Sequence, residues 1–333
     1  MFRILKKDIT LLLSSLKSVL LTSITVLLMI PLACHATSSN IEELLFEALD
    51  KERDRVVPIK VYFNKSKASQ PIILFSHGLG GSRENNAYLG KYWAEAGYVA
   101  VFMQHKGSDI DVWKSVRIGK RLQALKSAAS AETALLRFND VPFIIDQLKL
   151  WNNQQGHQLN KLLDLEHIGM SGHSFGAITT LAVAGRKFPL GLNFYDPRID
   201  AFLALSPSSR ENVKPSEVFG QIKSPILCMT GSEDESPISN TSPEDRLKIY
   251  EALPAGDKYQ LVLEGAKHFA FGDNNNSWRT RGRNPKHHPI IQQISLQFWN
   301  AYLKGNTESL QWLQSNKAIT ETGLISADVW QWK

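Results

Sequence analysis

The sequence predicts an α/β fold, with a mostly parallel central sheet and helices on both faces. Short, branched, almost wholly apolar runs such as residues 71–75 (PIILF) end in glycine-marked turns, the pattern of strands covered on both sides. Helix-like segments alternate with these runs, which favours parallel pairing through crossover connections. No internal repeat or low-complexity linker breaks the 333 residues, and a hydrophobic share of 43% is compatible with a substantial core.

One segment stands apart from that alternation. Arg3, Lys6, Lys7 and Lys17 flank the leucines at 11–13, an apolar run follows at 19–34, and small residues stand at Ala33, Cys34 and Ala36. This is the layout of a secretory leader. Residues 1–36 are therefore expected to direct export. Cleavage after Ala36 would give a periplasmic or secreted protein, and lipidation of Cys34 would tie the protein to the bacterial envelope membrane. Pro31 departs from the lipoprotein pattern, and a plain membrane anchor is the alternative reading of so long a leader. The whole chain carries +6; without residues 1–36, which hold four basic residues and Asp8, 34 basic residues face 31 acidic ones, or +3. So mild an excess gives no reason to expect a nucleic-acid partner. Two cysteines make no disulfide framework, and Cys228, inside an apolar run, reads as a small core hydrophobe.

Taken in order, residues 38–55 are polar with a helical-looking centre (IEELLFEALDKERDR), and 56–63 alternate as a strand. A turn at 65–70 leads to the buried strand 71–75, which ends in SHGLGGS. A helix at 86–96 and a strand at 98–103 follow. Residues 107–130 (GSDIDVWKSVRIGKRLQALKSAAS) are polar and basic, and interrupt the rhythm; with Trp113, Leu122 and Leu125 they read either as a lid or pocket wall or as a cover for the sheet. An amphipathic helix resumes at 131–151, where Val141-Pro142 suggests a junction or kink. Strands are expected at 168–170, 201–205, 225–230 and 259–263, and helices at 175–185, 243–253, 289–303 and 309–314. One domain, residues 37–333, is the economical reading.

The chemistry-bearing motif is Gly172-His173-Ser174-Phe175-Gly176, a G-x-S-x-G pentapeptide. An apolar strand ends at Met170, and a small-residue helix (AITTLAVAG) begins just after it. That is the setting in which a serine is forced onto a strained elbow, at a helix N-terminus that favours developing negative charge. A serine nucleophile needs a base, and the base an orienting acid. His268 follows the strand 259–263 and fits the base. His173 adjoins the serine but should point elsewhere, His77 and His105 precede it, and His287 and His288 lie in a basic polar stretch that reads as solvated. The turn FSHGLG at 75–80 would supply the second oxyanion donor beside the Phe175 amide.

FSHGLG at 75–80, GHSFG at 172–176 and QHKGSD at 104–109 together resemble secreted platelet-activating-factor acetylhydrolases and the related bacterial acetylhydrolase or dienelactone-hydrolase-like α/β-hydrolases. The resemblance covers most of residues 55–305. It implies an α/β-hydrolase fold, serine ester hydrolysis of small-molecule or lipid-like substrates, no metal or cofactor, and an oxyanion hole from the Leu79 and Phe175 amides. The chain departs from the pattern twice. The acetylhydrolase acid follows the strand after the nucleophile helix, where this chain reads ALSPS at 204–208 without a carboxylate, and true dienelactone hydrolases carry cysteine in place of Ser174.

The acid is then sought among Asp196, Asp200, Asp234 and Asp273. Asp196 and Asp200 precede the strand 201–205, and Asp273 follows His268. Asp234, in GSEDESP, follows the strand 225–230 and emerges at the carboxyl end of the sheet, where active residues gather. Glu233 and Glu235 are expected to face solvent, and three adjacent acids make a poor calcium or magnesium cage. The expected site is Ser174, Asp234 and His268, performing two-step acyl transfer through an acyl-enzyme. A serine peptidase of the same fold and a non-catalytic envelope protein are the alternatives. Residues 274–288, with Arg279, Arg281, Arg283 and Lys286, read as a solvated loop or as an attractor for anionic substrates or headgroups.

Overall fold

The computed structural model of the chain describes residues 40–67, 69–209, 214–273 and 283–333, and Asn40–Lys333 form one compact unit. The leader at 1–36 with Cys34, and Arg279 and Arg281, lie outside the described residues.

A nine-stranded sheet runs through the unit in the order β1-β2-β4-β3-β5-β6-β7-β8-β9. Strands β1 (Ile41–Asp50) and β2 (Arg55–Asn64) form an antiparallel hairpin at one edge, and β2 pairs antiparallel with β4 (Val99–Met103). From β4 the sheet is parallel through β3 (Gln70–Ser76), β5 (Leu163–His173), β6 (Ala201–Leu205), β7 (Ile226–Glu233) and β8 (Lys258–Lys267). The short β9 (Val329–Trp332), not expected from the sequence, closes the other edge antiparallel to β8. This is the α/β-hydrolase fold.

Helices cover both faces: α1 (Ala87–Glu95), α2 (Asp111–Lys114), α3 (Arg121–Ala128), α4 (Ala131–Asn153), α5 (Phe175–Val183), α6 (Pro215–Phe219), α7 (Pro243–Ala252), α8 (His287–Leu303), α9 (Thr307–Leu313) and α10 (Lys317–Glu321). Alternate residues of β3 divide between two cores, as the pleat requires. Ile73 and Phe75 join Trp93, Phe102 and Trp299 on one side. Ile72 and Leu74 join Val101, Ile144 and Leu148 on the other.

Two expectations are corrected. The helical-looking centre of 38–55 is strand β1. Its apolar residues at 41, 44, 45, 48 and 49 do fall at helical spacing, but pairing with β2 along its whole length overrides that pattern and leaves Leu45 and Leu49 on the exposed side. Pro142 also marks no junction, because α4 runs unbroken from 131 to 153 with the proline inside it. Only one helical hydrogen bond is forfeited there, and Val141, Ile144, Ile145 and Leu148 hold the surrounding turns against the sheet.

Register sets the geography of the site. In the parallel β3–β5 pair, Ser76 stands opposite Gly172, so the turn after β3 and the serine after β5 leave the sheet side by side. Strand order then places the segments after β7 and β8 next to each other on the same carboxyl edge.

Candidate active site

Ser174 is forced into its conformation by what surrounds it. Its backbone sits at φ 58°, ψ −113°, between the end of β5 and the first residue of α5. That region is costly for a residue with a Cβ and persists only where neighbours impose it. Here the imposing contact is close packing of backbones: a Cβ on Gly176 would meet the Ser76 carbonyl oxygen at 1.8 Å, and one on Gly172 the Gly176 oxygen at 2.3 Å. The glycines of the pentapeptide therefore let α5 press against β3 and drive the serine outward.

His268 opens a single 3-10 turn directly after β8. Its Nε2 lies 2.9 Å from Ser174 Oγ, and its Nδ1 lies 2.8 Å from Asp234 Oδ1. Thr230 donates its hydroxyl to Asp234 Oδ2 at 2.8 Å. Asp234 is fully buried, whereas Glu233 and Glu235 are exposed, Glu233 opposite Lys267 at 3.4 Å. Burial alone would raise the Asp234 carboxyl, but the His268 hydrogen bond and the neighbouring Arg246 charge oppose it, and its pKa lies at about 2. An ionised Asp234 fixes the imidazole proton on Nδ1, leaving Nε2 as the acceptor toward the serine. Gly231 is required by close approach, not by a special turn: its Cβ would strike the Ala266 oxygen at 1.9 Å, where the parallel β7–β8 pairing shifts register.

The remaining aspartates stand elsewhere. Asp200 accepts from the Ile168 amide ahead of β6, Asp196 pairs with Arg198, and Asp273 accepts from the Asn86 amide. At the position the acetylhydrolase pattern gives to the acid, Ser206 is buried at φ 51°.

Sequence reasoning missed Arg246 of α7. Its Nε donates to the Asp234 carbonyl at 2.7 Å and lies 3.1 Å from Asp234 Oδ1, while Nη1 donates to the Ser206 carbonyl at 2.8 Å. Arg246 thereby ties the Asp234 turn to the end of β6. Its Nη2 stands 3.2 Å from His268 Nδ1, but that nitrogen's proton is already given to Asp234, so this is a contact without a hydrogen bond. His173 does point away from the serine, donating Nε2–H to the His268 carbonyl at 3.0 Å. His287 and His288 are not solvated, a further correction. His287 is buried, and His288 stacks on Tyr88 at 3.8 Å while its Nε2 reaches the Ala270 and Gly272 carbonyls, bracing the turn that His268 begins.

Leu79 and Phe175 both line a cavity of about 710 Å³ that opens at Ser174. Among the described residues no hydrogen bond engages either backbone N–H. The turn is near Ser174, since a Cβ on Gly78 would stand 3.5 Å from the Ser174 Cβ. Leu135, Phe138, Ile178, Phe188 and Val218 give the cavity an apolar wall. The 107–130 segment contributes Ala129 and Ser130 to the lining, and Trp113 donates its indole N–H to the Gly80 carbonyl at 2.7 Å. Among the described residues no three histidine, cysteine or carboxylate side chains gather as a metal site, and no helix is long and apolar enough to cross a membrane.

The buried histidines make an acid-stability prediction. Burial lowers His105 to about 4, with the Asp140 hydrogen bond opposing it only in part, and burial likewise lowers His173 to about 3. Both folded values lie below the ordinary histidine pKa, so the unfolded chain takes up the extra protons. Stability should therefore be lost as pH falls from about 6.5 toward 4, by roughly 2 kcal/mol per histidine at pH 5. The Asp234 contribution is lost lower, between about 4 and 2. Calorimetric Tm measured across pH 7 to 4 checks this, and a flat profile down to pH 5 contradicts it.

No curated protein matches the chain. The sequence profile of the family described as platelet-activating factor acetylhydrolase, isoform II, matches residues 35–117. That stretch runs from ahead of β1 to beyond α2; it includes FSHGLG and QHKGSD but stops short of Ser174, Asp234 and His268. The match supports an acetylhydrolase- or esterase-type hydrolase, and with the nine-stranded sheet it supports, for this chain, the platelet-activating-factor-acetylhydrolase-like family of α/β-hydrolases.

Proposed function

We propose that the protein is a serine carboxylic-ester hydrolase that works through a Ser174–His268–Asp234 triad and an acyl-enzyme. The observation that carries this reading is the continuous hydrogen-bonded line from Ser174 Oγ through His268 to the buried Asp234. His268 Nε2 takes the hydroxyl proton as Ser174 Oγ attacks the ester carbonyl. The tetrahedral oxyanion is received by the Leu79 and Phe175 amides. Collapse expels the alcohol, which leaves with the proton from His268. Water then attacks the acyl-serine by the same path, and the carboxylic acid departs.

The apolar wall beside Ser174 suits an ester with a hydrocarbon acyl or alkyl group. The leader pattern of residues 1–36 supports export to the periplasm, the exterior or a lipid anchor at Cys34. Turnover measured on p-nitrophenyl esters of increasing acyl length, with a matched p-nitroanilide, tests the class. Ester hydrolysis that depends on acyl length, with anilide turnover lower by about 10³-fold or more, is the expected result, the size of gap that transition-state discrimination produces when the leaving group is poor. Comparable amide turnover would make the protein a peptidase instead.

A further inference from the structure

Arg137 of α4 is fully buried, next to the candidate site but outside it. Its guanidinium reaches two separate pieces of backbone. Nη1 donates to the His77 carbonyl at 2.7 Å, and Nε donates to Ser108 Oγ at 2.8 Å. Ser108 in turn accepts the Gly80 amide on its carbonyl at 2.9 Å. The turn that carries Leu79 is thus gripped on both sides of that residue. The opposite face of the same guanidinium lies over the Phe175 ring, 4.3 Å from its centre.

A second buried network fixes the turn from below. The His105 amide donates to His77 Nε2 at 3.0 Å, so His77 carries its proton on Nδ1 and donates it to the Gly78 carbonyl at 2.6 Å. Arg137 Nη2, 3.3 Å from that Nδ1, meets another donor there and makes no bond to it, donating instead to the Ser108 carbonyl at 3.4 Å. His105 Nδ1–H donates to Asp140 Oδ2 at 2.9 Å, and Ser76 Oγ lies 2.9 Å from His105 Nε2. Ser76, His105 and Asp140 repeat the connectivity of Ser174, His268 and Asp234, but all three are wholly buried and none lines the cavity at Ser174. They form a strut. Asp140 is held in turn by Arg55 at 2.8 Å and Arg53 at 2.9 Å, from the β1–β2 hairpin. The QHKGSD segment at 104–109 thereby acquires a role, as the bracket on which the FSHGLG turn rests.

We propose that Arg137 is a positioning residue that holds the Leu79 and Phe175 amides at a fixed separation, so that both meet one developing oxyanion. The two donors sit on different elements, the turn after β3 and the first turn of α5, and the guanidinium contacts both. The inference rests on the reading of those two amides as the oxyanion hole. Donors that stabilise charge only in the transition state act on kcat, and they act only when preorganised within a fraction of an ångström. Arg137 touches none of Ser174, His268 or Asp234, so its loss leaves proton transfer intact.

Arg137→Lys keeps a cation but loses the planar fork and its stacking face. The expected result is a fall in kcat on a short p-nitrophenyl ester of about 10²-fold with KM within about threefold, the size seen when one oxyanion donor is lost. The sharper readout is the rate ratio between an oxoester and its thionoester, because sulfur fits poorly between two donors set for oxygen. The wild-type protein should favour the oxoester strongly, and Arg137→Lys should lose most of that preference, whereas general loosening would slow both substrates alike. Ser108→Ala, which frees one edge of the fork, should shift the ratio the same way by a smaller factor and serves if the lysine variant does not fold. A wild-type ratio retained in a folded variant overturns the positioning role. Absence of any oxoester preference in the wild-type protein overturns instead the oxyanion reading beneath it.

Discussion

Ser174→Ala is expected to lower ester turnover by about 10⁵- to 10⁶-fold, the scale on which loss of a triad nucleophile removes acyl-enzyme chemistry. The hydroxyl lies 2.9 Å from His268 Nε2, and among the described residues no second serine or cysteine takes that hydrogen bond. Alanine at φ 58° carries the same backbone strain as serine, so the unfolding free energy should change by little more than the loss of one half-exposed hydrogen bond, about 0.5–1.5 kcal/mol. Steady-state turnover and active-site titration with an organophosphate check the outcome. Wild-type turnover in the alanine variant would place the nucleophile elsewhere.

The second large effect is expected at Asp234. Asp234→Asn should reduce kcat by about 10⁴-fold, because an amide N–H facing His268 Nδ1 selects the tautomer whose proton points at Ser174 and blocks its role as base. Asparagine also removes the carboxylate that Arg246 pairs with at 3.1 Å, though the guanidinium keeps the carbonyls of Asp234, Ser206 and Pro207. A stability loss should therefore accompany the kinetic one, up to about 3–5 kcal/mol as for broken buried ion pairs. Glu233→Gln and Glu235→Gln, both at exposed positions, should stay within about twofold of wild type in turnover, because a screened surface charge interacts by well under 1 kcal/mol. Loss in either glutamine variant equal to that of Asp234→Asn would move the acid to a neighbouring carboxylate.

Much of this arrangement is legible along the chain. Runs such as PIILF and AFLAL are too apolar for anything but strands covered on both faces, and in the structure their alternate residues enter opposite cores. The pentapeptide and its flanking strand and small-residue helix predict a serine elbow, and Ser174 stands at positive φ between β5 and α5. For Asp234, chain order and the departure of ALSPS from the acetylhydrolase pattern point to a carboxylate after β7, and the structure places that side chain 2.8 Å from His268.

Other features are illegible for a common reason. Arg246 and Arg137 look in sequence like ordinary helix cations, the charged positions of PEDRLKIYEA and AETALLRFND, which by local pattern face solvent. Both are buried because backbone carbonyls far away in the chain converge on them, from Ser206 and Pro207 for one and from His77 and Ser108 for the other. No periodicity encodes such a convergence. The same holds for β1, whose helical spacing is overruled by ten consecutive partners on β2, and for His288, which a stacking ring and two carbonyls draw in from a basic loop.

Which chemistry-bearing residues leave the sheet at its carboxyl edge, and in what order, can be read along the chain, because strand ends, glycine turns and apolar runs are local properties. Tertiary packing settles which carboxylate turns inward, how the Leu79 turn and the start of α5 are held to one another, and which arginines lose their water. Those outcomes depend on hydrogen-bond partners 12 to 60 residues away, and burial of a charge is favourable only when such partners are already in place.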